Sequence, residues 1–389
     1  MDERSRADVV VIGAGPAGSI LAAILARRGA DVVLADRDRF PRDKVCGEFL
    51  SWDAIPILDR LGLTGEIDRL GATRITRCRI ASGEAAAEIP LPARARGISR
   101  LRFDALLLEN ARRCGAHVLE GWSVDAVGRT PHGQRVELTS AGGGRAALDA
   151  PVVAGAWGRW GRLDLRLGRA FTRARRDRWL GFKRHYAAGA TDPDAIELHA
   201  FPGGYLGAQM IEEETSNVCG LVHQRALAGL RGGWSEMAER LRARGGALAR
   251  LFSLPPAQEG FLASEPLIFR GKEPVHEGLF LVGDAAGLID PLTGNGMAMG
   301  IQSAALAAGP ILEALDPARR RAALESYAGA HRRMFVRRLR WSRTAALMLA
   351  RPALLAAAIR AGKRTQLGDL FVRRTRASER EIERLAASL

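Results

Sequence analysis

Residues 8–36, DVVVIGAGPAGSILAAILARRGADVVLAD, restrict the fold of this chain more than any other stretch. The β-branched run at residues 8–12 reads as a short buried strand, and the alanine- and leucine-rich segment that follows reads as a helix closed by Gly29 as C-cap. A second β-branched run ends at Asp36 and is followed by Arg37. Between the first strand and the helix stand Gly13, Gly15, Pro16, Ala17 and Gly18. Gly13 permits the tight turn, Gly15 lets a pyrophosphate approach the backbone, and Gly18 allows close helix–strand packing. The helix N-terminus offers oriented N–H groups to phosphates, and Asp36 stands where a carboxylate can accept ribose hydroxyls. A turn that binds nothing would need the glycines but not the acid. The stretch therefore requires a parallel βαβ unit that holds a dinucleotide, and leaves open whether that is FAD or NAD.

A second glycine-rich segment, LFLVGDAAGLIDPLTGNGMAMGI (residues 279–301), puts Gly283 and Asp284 just after an apolar strand, then Pro291, Gly294, Gly296 and Met297 at the start of a helix. An acid at a strand end can hold a polyol such as a ribityl chain. A glycine turn opening a helix presents N–H groups to an electron-rich oxygen. Paired with the N-terminal unit, this segment resembles the second FAD fingerprint of the p-hydroxybenzoate hydroxylase-like flavoproteins, a family that includes aromatic hydroxylases, flavin halogenases and geranylgeranyl reductases. The resemblance spans residues 8–310 and implies FAD as the cofactor. It also implies an α/β fold: a Rossmann-like FAD-binding domain from residues 1–60, 96–161 and 266–317, an antiparallel β-sheet substrate domain from 61–95 and 162–265, and C-terminal helices from 318–389.

The resemblance assigns three further regions. Arg100, opening the helix in SRLRFDALLLENA, matches an arginine that faces the flavin or its phosphates, and Val124 is a further candidate cofactor-binding residue. KVCGEF (residues 44–49) matches a Lys/Arg–x–Cys–Gly segment, clearest in geranylgeranyl reductases, that lies along the flavin edge. Cys46 is then expected beside the ring, either in chemistry or as a small packing residue, with Lys44 as a cation able to lower its pKa and Gly47 allowing backbone approach. Tyr205, in FPGGYLGAQM, matches the tyrosine of a reductase substrate motif whose later residues are replaced here, and is a candidate catalytic residue with Cys46.

Departures narrow the activity. Trp157 stands where nicotinamide-dependent hydroxylases of the family carry the aspartate of an Asp-Gly pair. No tunnel lysine or W-x-W-x-I-P segment of the halogenases is visible, which sets halogenation aside. The expected function is a flavin monooxygenase acting on an aromatic or lipophilic, polyketide-like molecule. The alternative is a C=C reductase of the geranylgeranyl reductase kind, with a hydride delivered to a lipid alkene. Electrons would come from NAD(P)H or a separate flavin reductase.

Composition completes the expectations. The chain has 389 residues, 47% hydrophobic, with no apolar run long enough to span a membrane and no apolar leader in MDERSRAD. Cys46, Cys78, Cys114 and Cys219 are widely separated, as in a reducing cytoplasm, and no histidine pair has metal-ligand spacing. Between Arg319 and Arg376 stand 16 basic residues against Glu325 and Asp369. Almost no aromatic residues are interleaved there to stack bases, Phe335 and Trp341 excepted, so a non-catalytic or nucleic-acid-binding flavoprotein is the least favoured alternative. The basic tail is expected to face an anionic membrane or an acyl carrier protein, placing the protein in the cytoplasm with peripheral membrane contact.

Overall fold

The structure, a computed structural model, describes residues 5–173, 178–187, 191–228, 230–269, 272–349, 351–360 and 374–389. The start of MDERSRAD, and Lys363, Arg364, Asp369 and Arg373 of the basic tail, lie outside the described residues.

Strand Val9–Ile12 pairs in parallel with Val32–Asp36 on one side and Val152–Gly155 on the other, with Val9 opposite both Val32 and Val152. The six-stranded sheet runs in the order Val275–His276, Leu279–Leu281, Val152–Gly155, Val9–Ile12, Val32–Asp36, His117–Glu120. Both faces are covered, which is why the first strand reads as an unbroken apolar run. Val9 and Val11 pack under the helices Pro16–Arg27, Arg100–Arg113 and Gly296–Glu313, while Val10 and Ile12 pack under a three-stranded sheet through Val136, Leu138 and Leu148. The first helix is buried nearly all round, from Pro16 to Leu25, because it is wedged between the other two.

The stretch HVLEGWSVDAV is divided at Gly121, whose φ is +77°. His117–Glu120 joins the parallel sheet and Trp122–Thr130 starts the three-stranded one. An eight-stranded mixed sheet forms the other part of the molecule. Its order is Leu262–Ala263, Trp179–Tyr186, Ser216–His223, Gly204–Met210, Ala195–Phe201, Thr73–Ser82, Ala85–Gly97, Phe49–Leu50. Its last strand, Phe49–Leu50, comes from the segment just after Cys46 and Gly47.

The C-terminal segment is built into the protein. From the long helix Arg320–Leu349, Tyr327 donates to the Leu281 carbonyl at 2.6 Å. The last helix, Glu379–Ala387, opens with a Ser378/Glu381 capping box and receives Arg60 on the Ala386 carbonyl at 3.3 Å. Not every arginine of the basic tail is at the surface: Arg338 is 4% exposed, because the long helix turns it inward onto Asp53 at 3.3 Å. Among the described residues no helix is long and apolar enough to cross a membrane.

Candidate flavin site

The three fingerprint glycines have three different surroundings. Gly13 has φ +102°, and a Cβ there would lie 2.5 Å from the Ala156 carbonyl oxygen. A Cβ on Gly18 would lie 1.8 Å from the Gly13 carbonyl oxygen. Gly15 is different: its nearest neighbour would be Arg100 Nη2 at 3.8 Å, so no packed atom of the protein requires a glycine there. Pro16 and Ala17 begin the helix, and the Ala17 methyl fits against Gly283, where an added Cβ would sit 2.9 Å away. Asp36 accepts the Ala14 N–H at 2.6 Å and the Asp38 N–H at 2.8 Å, so the acid also fixes the turn it follows. The Arg37 side chain is 71% exposed beside Asp38. Val124 is partly buried against the cluster that holds Val33 and Ala35.

Arg100 is the first residue of its helix, and its fork is set by a buried carboxylate. Nε and Nη2 each donate to Asp104 at 2.6 Å, a bidentate pair that fixes the guanidinium with Nη2 toward Gly15 and beside the Cys46 thiol. Lys44 does not play the part expected of it: its ammonium is drawn to Asp38 at 2.5 Å, and the cation beside Cys46 is Arg100. Cys46 Sγ accepts the Glu48 N–H at 3.3 Å. Gly47 is exposed, and a Cβ there would meet nothing within 4 Å.

Glu48 anchors this loop and was not singled out from the sequence. It is fully buried with φ +57°, in the left-handed region that a non-glycine residue adopts only when its surroundings hold it. Its Oε1 accepts Lys183 Nζ at 2.6 Å and the Arg100 N–H at 2.7 Å, and its Oε2 lies 2.7 Å from His185 Nε2. Lys183 also donates to Asp43 at 2.5 Å. Burial alone would lower the Lys183 pKa; the charges of Glu48 and Asp43 overcome it and hold the ammonium above its ordinary value. Asn217 adds a bond from Nδ2 to the Cys46 carbonyl at 3.1 Å. The loop is thus fastened to the eight-stranded sheet by ion pairs. One signal was available: Lys183 is one of only four lysines and sits within a strand pattern, LGFKRHY.

The second glycine segment meets the first across the cofactor position. Asp284 follows strand Leu279–Leu281 and stays partly exposed. Among the described residues its carboxylate takes no hydrogen bond. Burial raises its pKa above the ordinary aspartate value, against the pull of Lys272, Arg159 and Arg100. Lys272 is itself pushed down to about 8, by burial first, although Asp284 and Asp164 oppose it. Gly294 has φ +60°, and a Cβ there would strike Phe49 at 2.9 Å, so loop and turn need a glycine for both reasons. Pro291 starts the short turn before it, Gly296 opens the helix Gly296–Glu313, and Met297 is buried.

Tyr205 does not reach Cys46 through any hydrogen bond in the described structure. It is 4% exposed and donates to Asp290 at 2.6 Å, tying the eight-stranded sheet to the second glycine segment. Burial first, and then the Asp290 charge, push its pKa well above the ordinary tyrosine value. Around it Leu198, Leu221, Leu267, Leu288 and Leu292 form an apolar cluster, closed by Ala345 and Ala346 of the long helix. Trp157 lies over Gly155, where a Cβ would sit 2.1 Å from its ring, and donates Nε1 to Asp164 at 3.1 Å. Asp164 holds Arg169 at 2.7 Å, and Arg169 donates to the Ala285 carbonyl at 2.9 Å. His199 rests on Glu197, and His223 caps the helix Gln224–Leu227.

The open space at Gly15 and Gly47 and the unbonded Asp284 carboxylate fit FAD. The FAD binding domain family matches residues 6–193. The menaquinone reductase of Mycolicibacterium smegmatis is 32% identical over 326 residues, covering 78% of this chain and 76% of that protein. The tryptophan 2-halogenase of Chondromyces crocatus is 27% identical over 333 residues, 79% of this chain and 61% of the halogenase. The solved structure of a geranylgeranyl bacteriochlorophyll reductase-like protein from Thermoplasma acidophilum superposes with a TM-score of 0.78 at 20% identity, over 99% of this chain and 96% of that one. The fold, the paired glycine segments and these likenesses together place the chain in the p-hydroxybenzoate hydroxylase-like and geranylgeranyl reductase-like superfamily of FAD-dependent oxidoreductases.

Proposed function

We propose that the protein is an FAD-dependent reductase of a lipophilic quinone or isoprenoid compound. The observation that carries this reading is the Cys46 thiol held beside Arg100 on a loop anchored by buried ion pairs, an investment that oxygen transfer does not require. The likeness to the menaquinone reductase supports the choice of substrate class. Bound FAD supplies two-electron transfer from its ring to an acceptor. The turn at Gly13–Gly18 would seat the pyrophosphate, Arg100 would offset its charge, Asp284 would accept the polyol hydroxyls, and the Gly294–Gly296 turn would face the electron-rich edge of the ring. The apolar cluster around Leu198, Leu221 and Leu292 would receive the substrate and keep water out. For reduction of an alkene, Cys46 Sγ–H would give one carbon its proton while the hydride goes to the other. Arg100 would hold the thiolate until water reprotonates it.

Oxygen transfer, the reaction favoured by sequence alone, is the second reading; the apolar cluster serves it equally well. Halogenation returns as an outcome to be tested, given the likeness to a tryptophan halogenase. The electron donor is proposed to be NAD(P)H or a separate flavin reductase. We also propose that the C-terminal helices meet an anionic lipid surface. Trp341, Leu347 and Leu354 are 37%, 54% and 60% exposed there, among the exposed Arg337, Arg340 and Arg351. An acidic carrier protein is the competing partner.

The deciding experiment reduces the flavoprotein without oxygen, then adds menaquinone or a geranylgeranyl lipid in detergent. Reoxidation of the flavin together with a product gaining two hydrogens is the expected result. Turnover that needs oxygen, with an oxygen or a halogen in the product, would replace this proposal with one of the other two.

A further inference from the structure

Behind the turn that opens the helix Gly296–Glu313 lies a cluster of two arginines and one carboxylate. Arg338 donates to Gln302 Oε1 at 2.9 Å and to Asp53 Oδ2 at 3.3 Å. Arg376, from the C-terminal segment, donates Nε to Ser51 Oγ at 2.9 Å and Nη2 to the Thr293 carbonyl at 2.6 Å, with its guanidinium 5.0 Å from the Trp52 ring centre. Among the described residues no carboxylate lies at ion-pair distance from Arg376; Asp53 is paired with Arg338. One positive charge is therefore in excess, at the helix end whose dipole is also positive.

That arrangement is unfavourable unless something negative completes it. Burial lowers the Arg376 pKa, against Asp53 and Cys78, and the side chain is half-buried. Beside it, Asn295 is fully buried: its Nδ2 donates to the Thr375 carbonyl at 2.9 Å, and its Oδ1 has no partner. The bond from Arg376 to Thr293 attaches the excess charge to the very turn assigned to the electron-rich edge of the cofactor.

We propose that Arg376 tunes the flavin: its charge, attached to the Thr293–Gly294 turn, favours the electron-rich reduced ring at the start of the helix Gly296–Glu313. This rests on the reading that FAD is bound with its ring at the second glycine segment. Arg376 acts through the turn and is a positioning and field-setting residue. The C-terminal segment then contributes directly to the redox balance.

The test is the midpoint potential of the FAD-loaded protein, measured by equilibration with a reference dye after FAD content has been determined. Arg376→Met keeps the apolar stem against Trp52 and removes the charge. It should lower the reduced-to-oxidised ratio at fixed potential about tenfold, equivalent to about 30 mV for a two-electron couple. Arg376→Lys should stay within about threefold of the wild type, because it keeps the charge. Asp53→Asn removes the opposing negative charge and should shift the potential upward, a direction that loosened packing does not favour. Should Arg376→Met fail to fold, the sign of the Asp53→Asn shift decides. An FAD-loaded Arg376→Met protein with an unchanged potential, or an Asp53→Asn shift downward, overturns the inference. A wild-type protein that takes up no FAD instead overturns the reading of the site.

Discussion

Gly15→Val separates what the fold needs from what a ligand needs. The backbone at Gly15, φ −70° and ψ −176°, is open to any L residue, and a Cβ there approaches nothing closer than Arg100 Nη2 at 3.8 Å. In the apoprotein the substitution should therefore change stability by no more than about 1 kcal/mol, the difference between glycine and valine at an N-cap offset by the lost freedom of the unfolded chain. With the pyrophosphate in place, the same side chain stands where phosphate oxygens approach the backbone. Inserting methyl groups into a packed site costs about 1–3 kcal/mol, or roughly 5- to 150-fold in Kd. Gly18→Ala is the contrasting control. Its methyl would lie 1.8 Å from a backbone oxygen, so the apoprotein itself should lose about 3 kcal/mol or fail to fold. The assay is urea unfolding of FAD-stripped protein beside a titration of FAD fluorescence. A Gly15→Val protein that binds FAD within threefold of the wild type, at unchanged apoprotein stability, would refute the placement of the pyrophosphate.

Cys46→Ser, compared at matched FAD occupancy, should cut turnover about a hundredfold if the thiol is the proton donor, the scale of a lost acid/base group; retention of most activity would favour oxygen transfer. His331 packs between Tyr327 and Phe335, and burial pushes its pKa down to about 4 from the ordinary 6.5. The unfolded chain binds the proton first as pH falls, so stability present above pH 6.5 is lost toward pH 4. About 2 kcal/mol should disappear between pH 7 and pH 5, and His331→Phe should flatten that slope in urea titrations. Vesicle co-sedimentation should show binding to anionic lipid that weakens with salt; equal recovery with neutral lipid at all salt concentrations would leave the C-terminal helices a covering role only.

The local parts of this protein were legible in its sequence. The strand Val9–Ile12, the helix after it and the close packing at Gly13 and Gly18 follow from β-branched content, helical spacing and the absence of a Cβ, all properties of neighbouring residues. Asp284 at a strand end and Gly294 before a helix were readable for the same reason. What joins distant segments was not. Glu48 meets Lys183 across 135 positions, and the cation beside Cys46 proved to be Arg100 and not the adjacent Lys44. Arg376, counted with a basic tail, belongs beside Thr293. Sequence spacing carries periodicity and turn chemistry, but a buried charge is set by whichever partner the packed chain brings within reach. That partner is chosen by the sheet order and the helix wedges, so only the tertiary structure could decide it.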